Sequence, residues 1–88
     1  MHRDIKLDNV FVKLKSTVRM ASSAEIKNLP IECFEFKLGD FGLAKRFLKQ
    51  DECHVTFCGT PLNMGPEVLQ GQPYTQKADV WSLGTILF

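Results

Sequence analysis

The sequence predicts an α+β fold, and three observations predict it. Phe34, Glu35, Phe36, Lys37 and Leu38 alternate apolar with polar side chains, the period of a half-buried strand. A shorter run rich in β-formers, Val10, Phe11 and Val12, precedes it and offers a hairpin partner. From Lys77 onward, Ala78, Val80, Trp81, Leu83, Ile86, Leu87 and Phe88 surround a helical axis with apolar groups, which predicts a helix over about 77–88 buried on most sides.

Taken in order, residues 2–9 mix charge with few apolar positions and read as a loop that carries chemical groups on a rigid support. The hairpin that follows would hold Asn9, at the head of its first strand, close to Asp40, just past the end of its second. The stretch between the strands is far longer than a tight turn needs. Residues 15–33 read as a surface insertion of about eighteen residues, tolerated because loop-closure entropy rises only with the logarithm of length. A docking role is the alternative reading. Within it, 20–28 has good helix formers but weak amphipathic periodicity, which predicts a loop or one marginal helical turn. Residues 43–64 lack strong periodicity. Pro66 suits a first helical position and opens a short helix through Glu67, Val68 and Leu69, which 71–74 break. Asp79 falls in the first turn of the last helix, where a carboxylate meets the favourable end of the dipole.

Composition narrows the function classes. With 44% hydrophobic residues, 24% charged residues and a formal net charge of +1, nothing argues for nucleic acid or an anionic membrane surface as a partner. No apolar run reaches the ~20 residues that a spanning helix needs, and the start lacks a secretory signal pattern. Cys33, Cys53 and Cys58 are odd in number and show no C-x-x-C spacing, which disfavours both a disulfide framework and a zinc site. Reduced thiols in a cytoplasmic or nuclear setting are expected. His54 stands alone in a polar segment and reads as a loop residue.

Two tripeptides carry the chemistry: His2-Arg3-Asp4, extended by Lys6 and Asn9, and Asp40-Phe41-Gly42. Moving the terminal phosphoryl group of ATP requires a carboxylate beside the incoming hydroxyl, oxygen ligands for Mg²⁺ and a cation near the moving charge. Asp4 can accept the hydroxyl proton or orient it. Asn9 and Asp40 offer hard oxygens for Mg²⁺, and Lys6 can place an ammonium on the transferred phosphate. Gly42 would supply backbone freedom after the metal ligand.

On these residues the chain resembles the eukaryotic protein kinases. The blocks are H-R-D-I-K-L-D-N at 2–9, D-F-G at 40–42, G-T-P at 59–61, G-P-E at 65–67 and D-V-W-S-L-G at 79–84, in the family's order. Lys6 is similar to the serine/threonine branch. Thr60-Pro61 and Asp79 to Gly84 are similar to the autophagy-initiating kinases, a likeness too slight to fix a subfamily.

The resemblance implies a protein-kinase-like fold in which residues 1–88 form part of the C-terminal lobe: catalytic loop 2–9, metal-binding D-F-G at 40–42, activation segment 40–67 and a buried helix. It implies transfer of the ATP γ-phosphoryl group to Ser or Thr hydroxyls of a protein substrate, with Mg²⁺ and a regulatory partner. Asp4, Lys6 and Asn9 are the expected catalytic residues. Lys6, Asn9, Phe11 beneath the adenine, and Asp40 are the expected nucleotide contacts. Thr60, in the substrate-facing loop, would bond to Asp4 and Lys6, and Asp79 would accept backbone hydrogen bonds from His2 and Arg3. Thr56 would be the activating phosphorylation site, with Arg3 and Lys45 in reach of its phosphate. The sequence departs from the family at Gly65, where alanine is usual, and at Asn63, where an aromatic is common. Glu67 lacks the later arginine with which the family pairs it. The glycine-rich loop, the strand lysine and its glutamate partner are missing too, so the chain reads as a central excerpt, inactive alone. A truncated, non-catalytic binding or decoy module is the rival reading.

Overall fold

A computed structural model describes residues 1–19, 22–48 and 53–88. The hairpin consists of β1 (Val10–Leu14) and β2 (Phe34–Leu38), paired antiparallel with Val10 opposite Leu38 and Leu14 opposite Phe34. Lys13 and Leu14 extend β1 past the predicted Val10 to Val12, because they too find partners, in Glu35 and Phe34. One further backbone bond closes each end of the ladder: Lys15 N–H to Cys33 O at 2.9 Å, and Gly39 N–H to Asn9 O at 2.9 Å. The second of these sets the residue before Asp40 alongside Asn9, as the hairpin reading requires.

Within the insertion, a single helical turn, α1 (Ser23–Ile26), begins at Ser22. Its cause is a capping box: Ser22 N–H donates to Glu25 Oε2 at 2.6 Å and Glu25 N–H to Ser22 Oγ at 3.4 Å. The Ser22 N–H, then the Ser22 hydroxyl, hold the Glu25 carboxyl below its ordinary pKa. Met20 and Ala21, at the start of the predicted 20–28 turn, lie outside the described residues, as do 49–52 of the expected activation segment.

Beyond the hairpin, α2 (Pro66–Leu69) starts on Pro66 as predicted, and α3 (Lys77–Leu87) follows a turn at Gly71, which has φ +67°. Met64, Val68, Tyr74 and Ala78 form a small core with Met1 packed against it.

The expected burial of the last helix is not realised. Of α3, only Ala78 is buried, while Val80 is 68%, Trp81 51% and Leu87 79% exposed. A helix apolar all round needs neighbours on every side, and here the core covers one side only. Trp81, Gly84, Thr85 and Phe88 line an open hollow on the helix surface. His54 lies outside the helices and strands, in keeping with its reading as a loop residue, but it is buried. It is 6% exposed, its backbone bonds both ways with Tyr74 at 2.8 Å, and its ring meets Phe47 edge-on at 4.9 Å.

Candidate active site

The site forms where the 2–9 loop is held from below by α3 and from the side by the strand that leads to Asp40. Asp79, in the first turn of α3, accepts His2 N–H on Oδ2 at 2.6 Å and Arg3 N–H on Oδ1 at 2.8 Å. Both bonds go to a carboxylate, so each is stronger than a neutral one. They hold Arg3 at φ 70°, a left-handed conformation that a long side chain adopts only under constraint.

His2 ties the loop to the end of β2. Its Nε2–H donates to Gly39 O at 2.8 Å and its Nδ1 accepts Asp4 N–H at 3.2 Å, a pattern that requires the neutral ring protonated on Nε2. The ring is 5% exposed and meets Phe41 edge-on at 4.9 Å. One buried imidazole therefore touches both acidic tripeptides.

Asp4, Lys6 and Thr60 close into a triangle. Thr60 Oγ1 donates to Asp4 Oδ1 at 2.8 Å and accepts Lys6 Nζ at 3.0 Å, while Lys6 Nζ lies 3.4 Å from Asp4 Oδ2. Asn9 Nδ2 adds bonds to Asp4 O at 2.8 Å and to Asp4 Oδ2 at 3.2 Å. Partial burial pushes the Asp4 carboxyl up, but Thr60, the charge and hydrogen bond of Lys6, and Asn9 together outweigh it. The result lies below the ordinary 3.8.

Asn9 is 5% exposed, and its amide nitrogen is committed to Asp4, so its side-chain oxygen is the atom it could offer a metal. Asp40 is exposed, sits at φ 56° and accepts Gly42 N–H on Oδ1 at 3.3 Å. Gly42 thus serves through its N–H: among the described residues the positive-φ glycines are Gly59 and Gly71. No three His, Cys, Asp or Glu side chains among the described residues gather into a metal centre. An amide oxygen and a carboxylate at the hairpin's end still suit Mg²⁺, which keeps several waters and draws further ligands from phosphates.

Phe11 is 58% exposed and lies over Gly39, where an added Cβ would come within 2.4 Å of its ring. Gly59, at φ +109°, brings the 59–61 segment against the 2–9 loop, and a Cβ there would stand 2.4 Å from Arg3 O. Only glycine permits that approach, and it delivers Thr60 to Asp4. The Arg3 Nε–H donates to Leu43 O at 2.6 Å. Lys45 is placed by its backbone, which pairs with Met1 in both directions at 2.9 Å. Thr56 is exposed at its side chain, and its carbonyl accepts the Tyr74 hydroxyl at 2.5 Å.

The departures at 63 and 65 also find physical partners. Asn63 Nδ2 donates to Thr85 Oγ1 at 2.7 Å and Asn63 O accepts Ser82 Oγ–H at 2.6 Å, which fastens the turn at Pro61–Asn63 to α3. At Gly65 an added Cβ would meet the Glu67 carboxylate at 2.7 Å, so the bare glycine lets that side chain fold back.

An aspartate-bearing loop anchored on a helix, a second carboxylate at a hairpin's end and a threonine bridging lysine to aspartate define the class. The protein kinase domain family pattern matches residues 1–88, and the chain belongs to that family. It is 42% identical over 95 residues to the serine/threonine-protein kinase ATG1 of Candida glabrata, all of this chain against 10% of that protein. To serine/threonine-protein kinase unc-51 of Caenorhabditis elegans it is 39% identical over 88 residues, all of this chain and 9% of the relative. Serine/threonine-protein kinase ATG1a of Arabidopsis thaliana shares 42% over 88 residues, again all of this chain and 12% of that protein. The chain thus spans about a tenth of the length of these curated relatives.

Proposed function

We propose that this chain carries the phosphoryl-transfer centre and activation segment of an ATP- and Mg²⁺-dependent serine/threonine protein kinase. The observation that carries the reading is the Thr60 hydroxyl donating to Asp4 at 2.8 Å while accepting Lys6 at 3.0 Å. It fixes a carboxylate and an ammonium side by side on the rim where the substrate-facing loop begins.

Asp4 receives the substrate hydroxyl. Held below its ordinary pKa, it is a weak base, so its main work is to orient that hydroxyl and take the proton once the new bond is well formed. The hydroxyl oxygen bonds to the γ-phosphorus, the bond from that phosphorus to the bridging oxygen breaks, and ADP leaves with the electron pair. Lys6 offers its ammonium to the charge on the transferred group. Asn9 and Asp40 would hold Mg²⁺, which when bound neutralises phosphate charge. Phe11 offers an apolar face for the adenine. A phosphate on Thr56 would gather Arg3 and Lys45 and set the activation segment. The intact, fully hydrogen-bonded set around Asp4 favours an enzyme over a non-catalytic binding or decoy module.

The test is a division of labour in the full-length protein. Asp4→Asn is expected to lower kcat by ~10²–10⁴-fold while nucleotide affinity holds. Asp40→Asn is expected to weaken Mg²⁺-dependent nucleotide binding as well as turnover. Loss of nucleotide affinity in Asp4→Asn with an intact rate would refute these roles.

A further inference from the structure

Tyr74 lies outside both acidic tripeptides, yet its hydroxyl is where three parts of the chain meet. The residue is 4% exposed and belongs to the small core with Met64, Val68 and Ala78. Its backbone pairs with that of His54 across the activation segment, through two bonds of 2.8 Å. From that platform the hydroxyl donates to Thr56 O at 2.5 Å and stands 3.9 Å from Cys58 Sγ. Burial pushes the Tyr74 pKa up, and Cys58 adds to the rise, while the Arg3 guanidinium beside it pulls the other way. The net shift is upward, so the hydroxyl keeps its proton at neutral pH and remains a donor to Thr56.

We propose that Tyr74 is a positioning residue that presets the Thr56 phosphate site, holding the Thr56 backbone beside Arg3 before any phosphate is added. The proposal rests on the reading of Thr56 as the activating phosphoacceptor. A phosphate can order a loop only where packing has nearly ordered it already, because each loop residue gives up conformational freedom. The bond from Tyr74 removes part of that freedom in advance, at the residue that will bear the charge. The core ring fixes the height of the Thr56 carbonyl, and the same hydroxyl meets the arginine that would receive the phosphate. The side chain of Thr56 stays exposed and open to modification.

The experiment compares full-length wild type with Tyr74→Phe, which keeps the buried ring and the backbone pair with His54 but loses the hydroxyl. Phosphate occupancy of Thr56 is measured by mass spectrometry, and kcat/KM before and after treatment with a broad-specificity phosphatase. Removing the phosphate is expected to lower wild-type kcat/KM by about tenfold or more, and that of the variant by under about threefold at equal starting occupancy. The variant's phosphate is also expected to be removed several-fold faster. The dephosphorylated forms should have equal kcat/KM and closely similar melting temperatures, which general damage to the core would not give. Equal activation and equal phosphatase resistance in the two proteins would overturn the proposal, as would loss of basal activity in Tyr74→Phe. A wild type that carries no phosphate at Thr56, with Thr56→Ala fully active, would overturn the phosphoacceptor reading itself, an outcome distinct from the others.

Discussion

Asp4 takes hydrogen bonds from or to His2, Asn9 and Thr60 and an ion pair from Lys6, and Thr60 is the one of these that comes from elsewhere in the chain. Thr60→Val keeps the shape but removes both the donor to Asp4 and the acceptor for Lys6. The loss of two such bonds to charged groups, at about 1.5–3 kcal/mol each as an upper bound, is expected to lower kcat by roughly 10- to 100-fold. Thr60→Ser should recover most of that, and steady-state kinetics of the two variants decide it. The lowered pKa of Asp4 makes a second prediction. A carboxyl depressed in the folded state contributes stability above its unfolded pKa and loses it as pH falls through the lower, folded value. Wild type should therefore outlast Asp4→Asn in urea by a constant margin at neutral pH, and the margin should shrink only below about pH 4. Loss of the margin at pH 6 would contradict the hydrogen-bonded account of Asp4. At this scale the residues that gather around Asp4 were legible because their types and order are chemically specific. His2 and Tyr74 were less so. A histidine beside arginine and a single tyrosine in a turn give no periodic signal, and their roles arise from bonds to Gly39 and Thr56, distant in sequence.

Among the elements, the hairpin was legible because Phe34 to Leu38 alternate with a two-residue period, although the expected half-burial is not realised: of β2 only Phe34 is partly buried, and Phe36 and Leu38 are exposed. The single turn α1 had a signal in Ser22 and Glu25, which stand at the spacing of a capping box, but amphipathic periodicity does not detect a cap. For α3 the pattern reports which faces are apolar and says nothing of what covers them, and so the helix was predicted correctly and its burial was not. Asp79 joins α3 to the 2–9 loop, a role that the dipole argument alone leaves undetermined. Asp79→Asn removes the charge that strengthens its bonds to His2 and Arg3. The two amides are expected to exchange with solvent about tenfold faster or more, which corresponds to roughly 1.4 kcal/mol or more of lost local stability. Hydrogen-exchange mass spectrometry over residues 1–9 checks this, and unchanged protection would show that the anchor is elsewhere.

At the scale of the whole molecule, the chain is extended, with a Cα radius of gyration of 16.4 Å against about 12 Å for a compact domain of this length. Its apolar surface, on the hairpin at Phe11 and Phe36 and along α3, is of the kind that packs against further structure. Transfer chemistry is therefore tested on the full-length protein. The most direct measurement incubates purified full-length protein with Mg²⁺, ATP labelled at the γ-phosphate and a protein substrate, followed by identification of the labelled amino acids. The account predicts label on serine or threonine from the wild type, and a rate at least ~10²-fold lower from Asp4→Asn. Equal labelling by the two proteins, or no transfer by a folded wild type that binds Mg²⁺ and ATP, would contradict it.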